Sequence, residues 1–350
     1  MTDLARCLAA LLLAGLCAGP AVADETARVA TSALVGSERL RLFAFGKALE
    51  AGALPPALVG RMKRDMIRQG FYHEPGQNPL TLLEGWAAPV LSYDGNINGG
   101  SYNDRLSVDG IIFETTPDYV AKAGILAGAG AGGEARLAWD SGRYIRAALR
   151  AETVWAPEHD IGRGYAELRV CSDNHLAGWT FLDLCHTEAV LNRELDRSET
   201  ALTKISAERL LETGAGYHAL TAGLEQRDAS TRQMALELGV ESLWDGAVTE
   251  LEFSLGEEVP GETMQRLALG AGIRWHQGRR PVGVSFSYQE ASGGQFLGQD
   301  RTDRRYAAAL VYQVSPGLAL GVDLARNDST VAFFDYDEVG ITATFSGMRW

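Results

Sequence analysis

His159-Asp160, His175 and His186 are the residues whose types could support hydrolysis, with an imidazole as base and a carboxylate to orient it. That chemistry needs a nucleophile or activated water, a base and an orienting group to converge, and no serine elbow or paired motif surrounds these histidines. They read as exposed loop histidines, and no enzyme activity is expected. Gly128-Ala129-Gly130-Ala131-Gly132-Gly133 matches the spacing of a dinucleotide-binding loop. Such a loop needs a helix after it to aim amide dipoles at the pyrophosphate, whereas Glu134-Ala135-Arg136-Leu137-Ala138-Trp139 continues with the period of a strand. The run is therefore expected to be a tight turn, with glycines supplying positive φ, and no cofactor is implied.

Cys171 and Cys185 are the cysteines left once Cys7 and Cys17 are assigned to a leader. Outside the cytoplasm a close pair reads as a disulfide in preference to two free thiols, and no neighbouring Cys or His completes a metal site. A bridge across Ser172–Leu184 would hold Trp179 and Phe181 in place, as an apolar surface for a client or as part of a strand pair. Simple stabilisation of the loop is the plainer account.

The leader is residues 1–23. A basic start, an apolar run from Cys7 to Cys17 and the small-x-small site Ala21-Val22-Ala23 describe a secretory signal peptide cleaved after Ala23. Lipid attachment at Cys17 is the alternative, but Leu16 stands where that processing needs a small residue. A formal charge of −13 argues against nucleic acid as a partner, since its phosphates demand a basic face.

Residues 24–85 have helical period. Leu54, Leu58, Met62 and Met66 recur every four positions among Arg61, Lys63, Arg64 and Arg68. Leu34–Leu49 is a second helix-like stretch, separated from the first by Leu54-Pro55-Pro56, so a helical hairpin ending near Gly70 is expected. Its basic cluster reads as a solvated face, the alternative being a dock for an acidic partner or headgroups.

From Trp86 to Trp350 the period is two. Val282, Val284, Phe286 and Tyr288 alternate with Gly283, Ser285, Ser287 and Gln289, and Leu318, Leu320, Val322 and Leu324 with Ala319, Gly321, Asp323 and Ala325. Each stretch is roughly nine to twelve residues long, the span of a tilted membrane strand. A soluble sandwich also alternates, so the second face decides. It mixes small residues with charges of both signs: Glu152, Glu167, Glu208, Glu237, Glu241, Glu250, Glu252 and Asp323 against Arg146, Arg150, Arg169, Lys204, Arg266 and Arg274. In a barrel lumen glycine relieves crowding and opposite charges brace one another across strands, whereas a strongly selective pore would show one dominant sign. The last segment alternates as Val339, Ile341, Ala343 and Phe345 before a terminal Trp350, an ending that barrel-insertion machinery reads. Phe345 and Trp350 differ in parity, so a bulge or a break at Ser346-Gly347 is required. Counting strand-sized segments, with Tyr93–Phe113 doubtful, gives an all-β, antiparallel transmembrane barrel of about 14 strands over 86–350, preceded by a short periplasmic helical segment over 24–85.

Ala88-Pro89-Val90-Leu91-Ser92-Tyr93-Asp94-Gly95-Asn96-Ile97-Asn98-Gly99-Gly100 resembles the opening barrel strand of the surface lipoprotein assembly modifier family, in which Tyr-Asp-x-Asn-Ile-Asn closes the first strand. Asp337–Phe345 is similar to that family's last strand. The resemblance implies a fourteen-stranded barrel that helps a surface lipoprotein or secreted protein reach the cell surface, with Tyr93, Asp94, Asn96, Ile97 and Asn98 as the family-like residues. Residues 24–85 have room for about one helical pair of the family's tetratricopeptide domain and lack its landmarks. The expectation is a translocation aid in the outer membrane of a Gram-negative bacterium, its partners being the insertion machinery, outer-membrane lipids and a client. The alternative is a passive porin-like channel for small solutes, and a barrel enzyme acting through His159 or His175 is the third reading.

Overall fold

The computed structural model describes residues 25–108 and 111–349. The signal peptide and Trp350 lie outside the described residues. Three helices come first: α1 (Glu25–Thr31), α2 (Glu38–Glu50) and α3 (Pro56–Arg68). Ser37 caps α2 by accepting the Leu40 N–H, and Pro56 opens α3 where a missing N–H costs nothing. Leu54, Leu58 and Met62 pack on Val29, Phe45 and Ala48, so the four-residue stripe is the seam of the expected hairpin. Helix α1 extends it.

Strand β1 (Leu80–Asp94) follows, then a small hairpin of β2 (Arg105–Val108) and β3 (Ile111–Glu114), then β4 (Gly124–Asp140), β5 (Arg143–Ala156), β6 (Ile161–Ala177), β7 (Thr180–Asn192), β8 (Arg197–Glu212) and β9 (Tyr217–Asp228). The chain continues through β10 (Arg232–Leu243), β11 (Ala247–Gly256), β12 (Met264–Gln277), β13 (Arg280–Phe296), β14 (Gln299–Ser315), β15 (Leu318–Ser329), β16 (Tyr336–Phe345) and β17 (Met348–Arg349). Every neighbouring pair from β4 to β16 is antiparallel, and β1 joins β4 on one side and β16 on the other. The described residues thus form a closed 14-strand barrel, and closure leaves no strand edge unpaired. The barrel begins at Leu80, ahead of the change of period at Trp86: a register shift falls between Leu80 and Leu82, and the adjacent leucines Leu82 and Leu83 lie one buried and one exposed, which hides the alternation. Tyr93–Phe113 holds the end of β1 and a long connection, not a further wall strand.

Alternation divides the wall. Leu83, Leu149, Leu168, Leu224, Phe286 and Leu324 stand exposed on the outside, and a belt of such residues encircles the barrel. Aromatic residues border it at two levels, Trp139 and Tyr312 near the short turns and Trp155, Tyr93 and Tyr306 towards the longer connections. Beyond that level the outside turns polar, as in the pairs Arg197–Glu199 and Arg326–Asp328. An apolar band with aromatic girdles on a closed antiparallel cylinder is the construction of an outer-membrane barrel.

Two local expectations are corrected. Gly128–Gly133 is not a turn: it lies inside β4, paired with β1 and β5 throughout. Its glycines make room in the lumen for the Trp86 indole, since a Cβ on Gly132 would come within 2.7 Å of it. Of the three histidines only His159 lies in a connection; His175 and His186 are on β6 and β7. The expected break at Ser346-Gly347 is present. Between the pairs Val90–Thr344 and Ala87–Met348 the closing strand carries one residue more than β1, opposite Pro89, which has no N–H to donate. Phe345 ends β16 just before it.

Candidate functional site

The lumen is the functional space, and two parts of the chain fold into it. The first is the helical segment. Arg39 of α2 reaches Asp183 of β7 at 2.6 and 2.7 Å, Glu208 of β8 at 2.8 Å and Asp173 of β6 at 3.4 Å, and lies 4.3 Å from the Phe181 ring centre. Glu38 accepts from Arg136 of β4 at 2.6 Å, and Arg28 of α1 meets Asp245 of the β10–β11 turn at 2.6 Å. The backbone N–H groups of Gly36 and Ser37 both donate to Glu241 of β10, at 2.7 and 2.9 Å. Apolar contact adds to this: Phe43 stacks edge-on against Trp179 and Tyr217. The segment is therefore a plug seated at the end of the barrel where the hairpin turns are short. Burial disfavours the Glu38 carboxylate, but Arg136, with Arg41 and Arg68, outweighs that and holds its pKa below the ordinary range. Burial likewise works against the Arg39 charge, and Asp183 and Glu208 overcome it, so its pKa is raised.

The second is the connection after β1. Asp94 accepts the Asn96 N–H at 2.7 Å and pairs with Arg163 of β6. Asn96 donates to Gly100 O at 2.8 Å and accepts the Gly100 N–H at 2.9 Å; Asn98 donates to Val120 O at 2.8 Å and accepts from Lys122 N at 2.9 Å. Ile97 is fully buried among Val90, Leu126, Val154, Ala156 and Ile161. Asp94, Asn96, Ile97 and Asn98 thus latch the connection into the mouth opposite the plug, while Tyr93 faces outward into the girdle.

Cys171 and Cys185 are directly opposed on β6 and β7 and joined by a disulfide. They share the inner face with Asp173 and Asp183, beneath the plug. Trp179 and Phe181 belong to the same hairpin and meet α2; Phe181 is only 2% exposed, so a client would reach that ring only after the plug had left, while Trp179 is half-buried. His159 bonds Ala123 O, His175 bonds Gly178 O at the other end of the barrel, and His186 bonds Thr203 on the outside; they do not converge.

The phased inner charges pair as a braced lumen would: Lys204 with Glu237, Arg227 with Glu225 and Glu237, Arg274 with Glu241 and Glu250, Arg146 with Asp173. The polar anchors of the plug fall on β1, β4 and β6–β10, and Leu34 shares an apolar cluster with Val248 of β11, so the plug's polar and apolar anchors leave β12–β16 uncovered. Three cavities follow one another on the side of the lumen from β8 to β16. An outer one of about 450 Å³ lies between Gly99–Tyr102 and Arg301, Arg305 and Tyr336. It shares Gln265 and Gln289 with a middle one of about 530 Å³, lined by Glu237, Glu241, Glu250 and Glu252 among others. The middle one shares Glu250 and Arg274 with an inner one of about 380 Å³ beside Leu34.

The alternation gave no sign of the plug, because the acceptors of Arg39 lie 134 to 169 residues away in the chain. One signal was available: α2 carries apolar residues on several faces, Leu40, Leu42, Phe43, Ala44, Phe45 and Ala48, all buried here.

No family model and no curated protein matches the chain. Among solved structures it is similar to OccK9 (OpdG) of Pseudomonas aeruginosa, at 8% identity and TM-score 0.40 over 76% of this chain and 97% of that one. It is also similar to OccAB3 of Acinetobacter baumannii, at 6% and 0.42 over 77% and 99%, and to the outer membrane protein opdK of Pseudomonas aeruginosa, at 8% and 0.41 over 77% and 100%. At these values the likeness carries no statement about activity, and the outer-membrane barrel rests on its own closure, belt and girdles.

Proposed function

We propose that the chain is a passive channel for small polar solutes across the outer membrane, with the helical plug as its restrictor. The observation that carries this reading is the succession of three cavities with shared lining residues on the side of the lumen from β8 to β16. Each has room for a small solute and several water molecules, since a water occupies about 30 Å³ in the liquid. The middle cavity carries charges of both signs and the outer one Arg301, Asp303 and Arg305, so a hydrated solute keeps partners there, while the inner one is mainly apolar.

Planar bilayers test it. The purified mature protein is expected to give steady openings without any added polypeptide, and removal of residues 25–68 is expected to enlarge them while the barrel persists. Silent membranes for both forms would reject the channel.

A second reading, assistance to a surface lipoprotein or secreted client, draws on the Tyr93–Asn98 resemblance and on the exposed Ile111, Ile112 and Phe113 of β3, which a client could meet. It requires the plug to leave, because the cavities beside it are far smaller than a folded domain. Unchanged surface display of a neighbouring gene's secreted product after deletion of this gene would dismiss it.

A further inference from the structure

We infer that Arg274 sets the charge selectivity and the width of the junction between the middle and inner cavities; this rests on the channel reading above. Arg274 and Glu250 line both cavities, so a solute passing from one to the other passes these two side chains. The guanidinium donates to Glu241 at 2.6 Å and to Glu250 at 3.2 Å, which stretches it across the inner face from β12 to β10. Glu241 in turn holds the Gly36 and Ser37 N–H groups. The plug, Glu241, Arg274 and Glu250 therefore form one chain of contacts ending at the junction. Gly36 fits because it lacks a side chain: a Cβ there would come within 3.3 Å of the Glu241 carboxylate and 3.4 Å of the Arg274 guanidinium.

The charges at this level are unequal. In the middle cavity Lys204 and Arg227 pair with Glu237, and Glu208 pairs with Arg39, which leaves Glu241, Glu250 and Glu252 beside Arg274, the cation that spans the junction. With Arg274 in place the carboxylates are partly neutralised. Without it the junction would be lined by carboxylates, which favour cations over anions in a low-dielectric enclosure.

The test is conductance and zero-current potential of the full mature chain in planar bilayers under a potassium chloride gradient. Arg274→Gln is expected to conduct more than the unmodified protein and to move the zero-current potential towards the potassium equilibrium potential. Arg274→Lys should keep the potential near its original value, and Glu250→Gln should move it the opposite way. Arg169→Gln, on the inner face of β6 and away from the three cavities, should change neither quantity. If the unmodified protein conducts while Arg274→Gln and Glu250→Gln both leave the potential where it was, the assignment is overturned and the channel stands. If the unmodified protein does not conduct, both fall. Heat-modifiable migration in gels reports whether each variant has folded. Were Arg274→Gln to misfold, Glu250→Gln alone would decide.

Discussion

Arg39 and Glu38 show why a helical segment of modest length stays inside a barrel. Arg39 is 8% exposed and meets carboxylates from β6, β7 and β8, so its charge is compensated from three strands. Taking away one member of a buried ion cluster strands the rest, at a cost of about 3–5 kcal/mol. Arg39→Ala is therefore expected to release α2, read as a sharp rise in amide hydrogen exchange over residues 38–50 with the strands still protected. Equal protection in the variant would refute the pin. Glu38 adds a pH dependence whose sign follows from its lowered pKa. A carboxyl with a folded-state pKa below its free value stabilises docking fully above the free value, about 4.3, and loses that contribution as pH falls through the lowered one. The Glu38 share of docking, read as the difference in α2 exchange between the unmodified protein and Glu38→Gln, should then persist at mildly acidic pH and vanish only below the ordinary carboxylate range.

At the scale of elements, what the sequence made legible was whatever repeats within a strand or helix. Val282–Tyr288 and Leu318–Leu324 announce their inner and outer faces by themselves, and Leu54, Leu58 and Met62 announce their seam. Gly128–Gly133 was misread as a turn because glycine has two uses, positive φ and lack of a Cβ, and only the neighbouring strand, with Trp86 over Gly132, shows which applies. The cysteine pair was legible as a disulfide, and its geometry was latent too: Cys171 and Cys185 lie equally far from Gly178, whose φ of 55° turns the hairpin. Joining directly opposed residues of a hairpin under the plug should stiffen the wall where Asp173 and Asp183 hold Arg39. Replacing both cysteines by serine is expected to lower barrel stability by about 3 kcal/mol, the loop-closure value for a span of this length. The loss should show as a lower temperature of conversion to the slow-migrating unfolded form in gels. No change in that temperature would mean that the strand pairing alone fixes the hairpin.

The whole molecule has two unlike ends, and their difference predicts its orientation. Turns such as Ser141-Gly142, Gly178-Trp179 and Trp244–Gly246 are short and border the plug, while the other end carries the long connection between β1 and β4 and the segment before β12. In outer-membrane barrels short turns face the periplasm and long loops face outward. The even number of wall strands brings β1 in and β16 out at the plug end, so by this rule the helical segment is expected on the periplasmic side and the latched connection outside. A cysteine placed at Ser230, in the β9–β10 turn of the long-loop end, is expected to react with a membrane-impermeant maleimide on intact cells. One placed at Arg279, in the β12–β13 turn, should react only after the outer membrane is permeabilised. Both positions are exposed, so burial cannot account for a difference between them. The reverse labelling pattern would invert the barrel and put the plug at the cell surface, where it would guard entry from outside in place of exit to the periplasm.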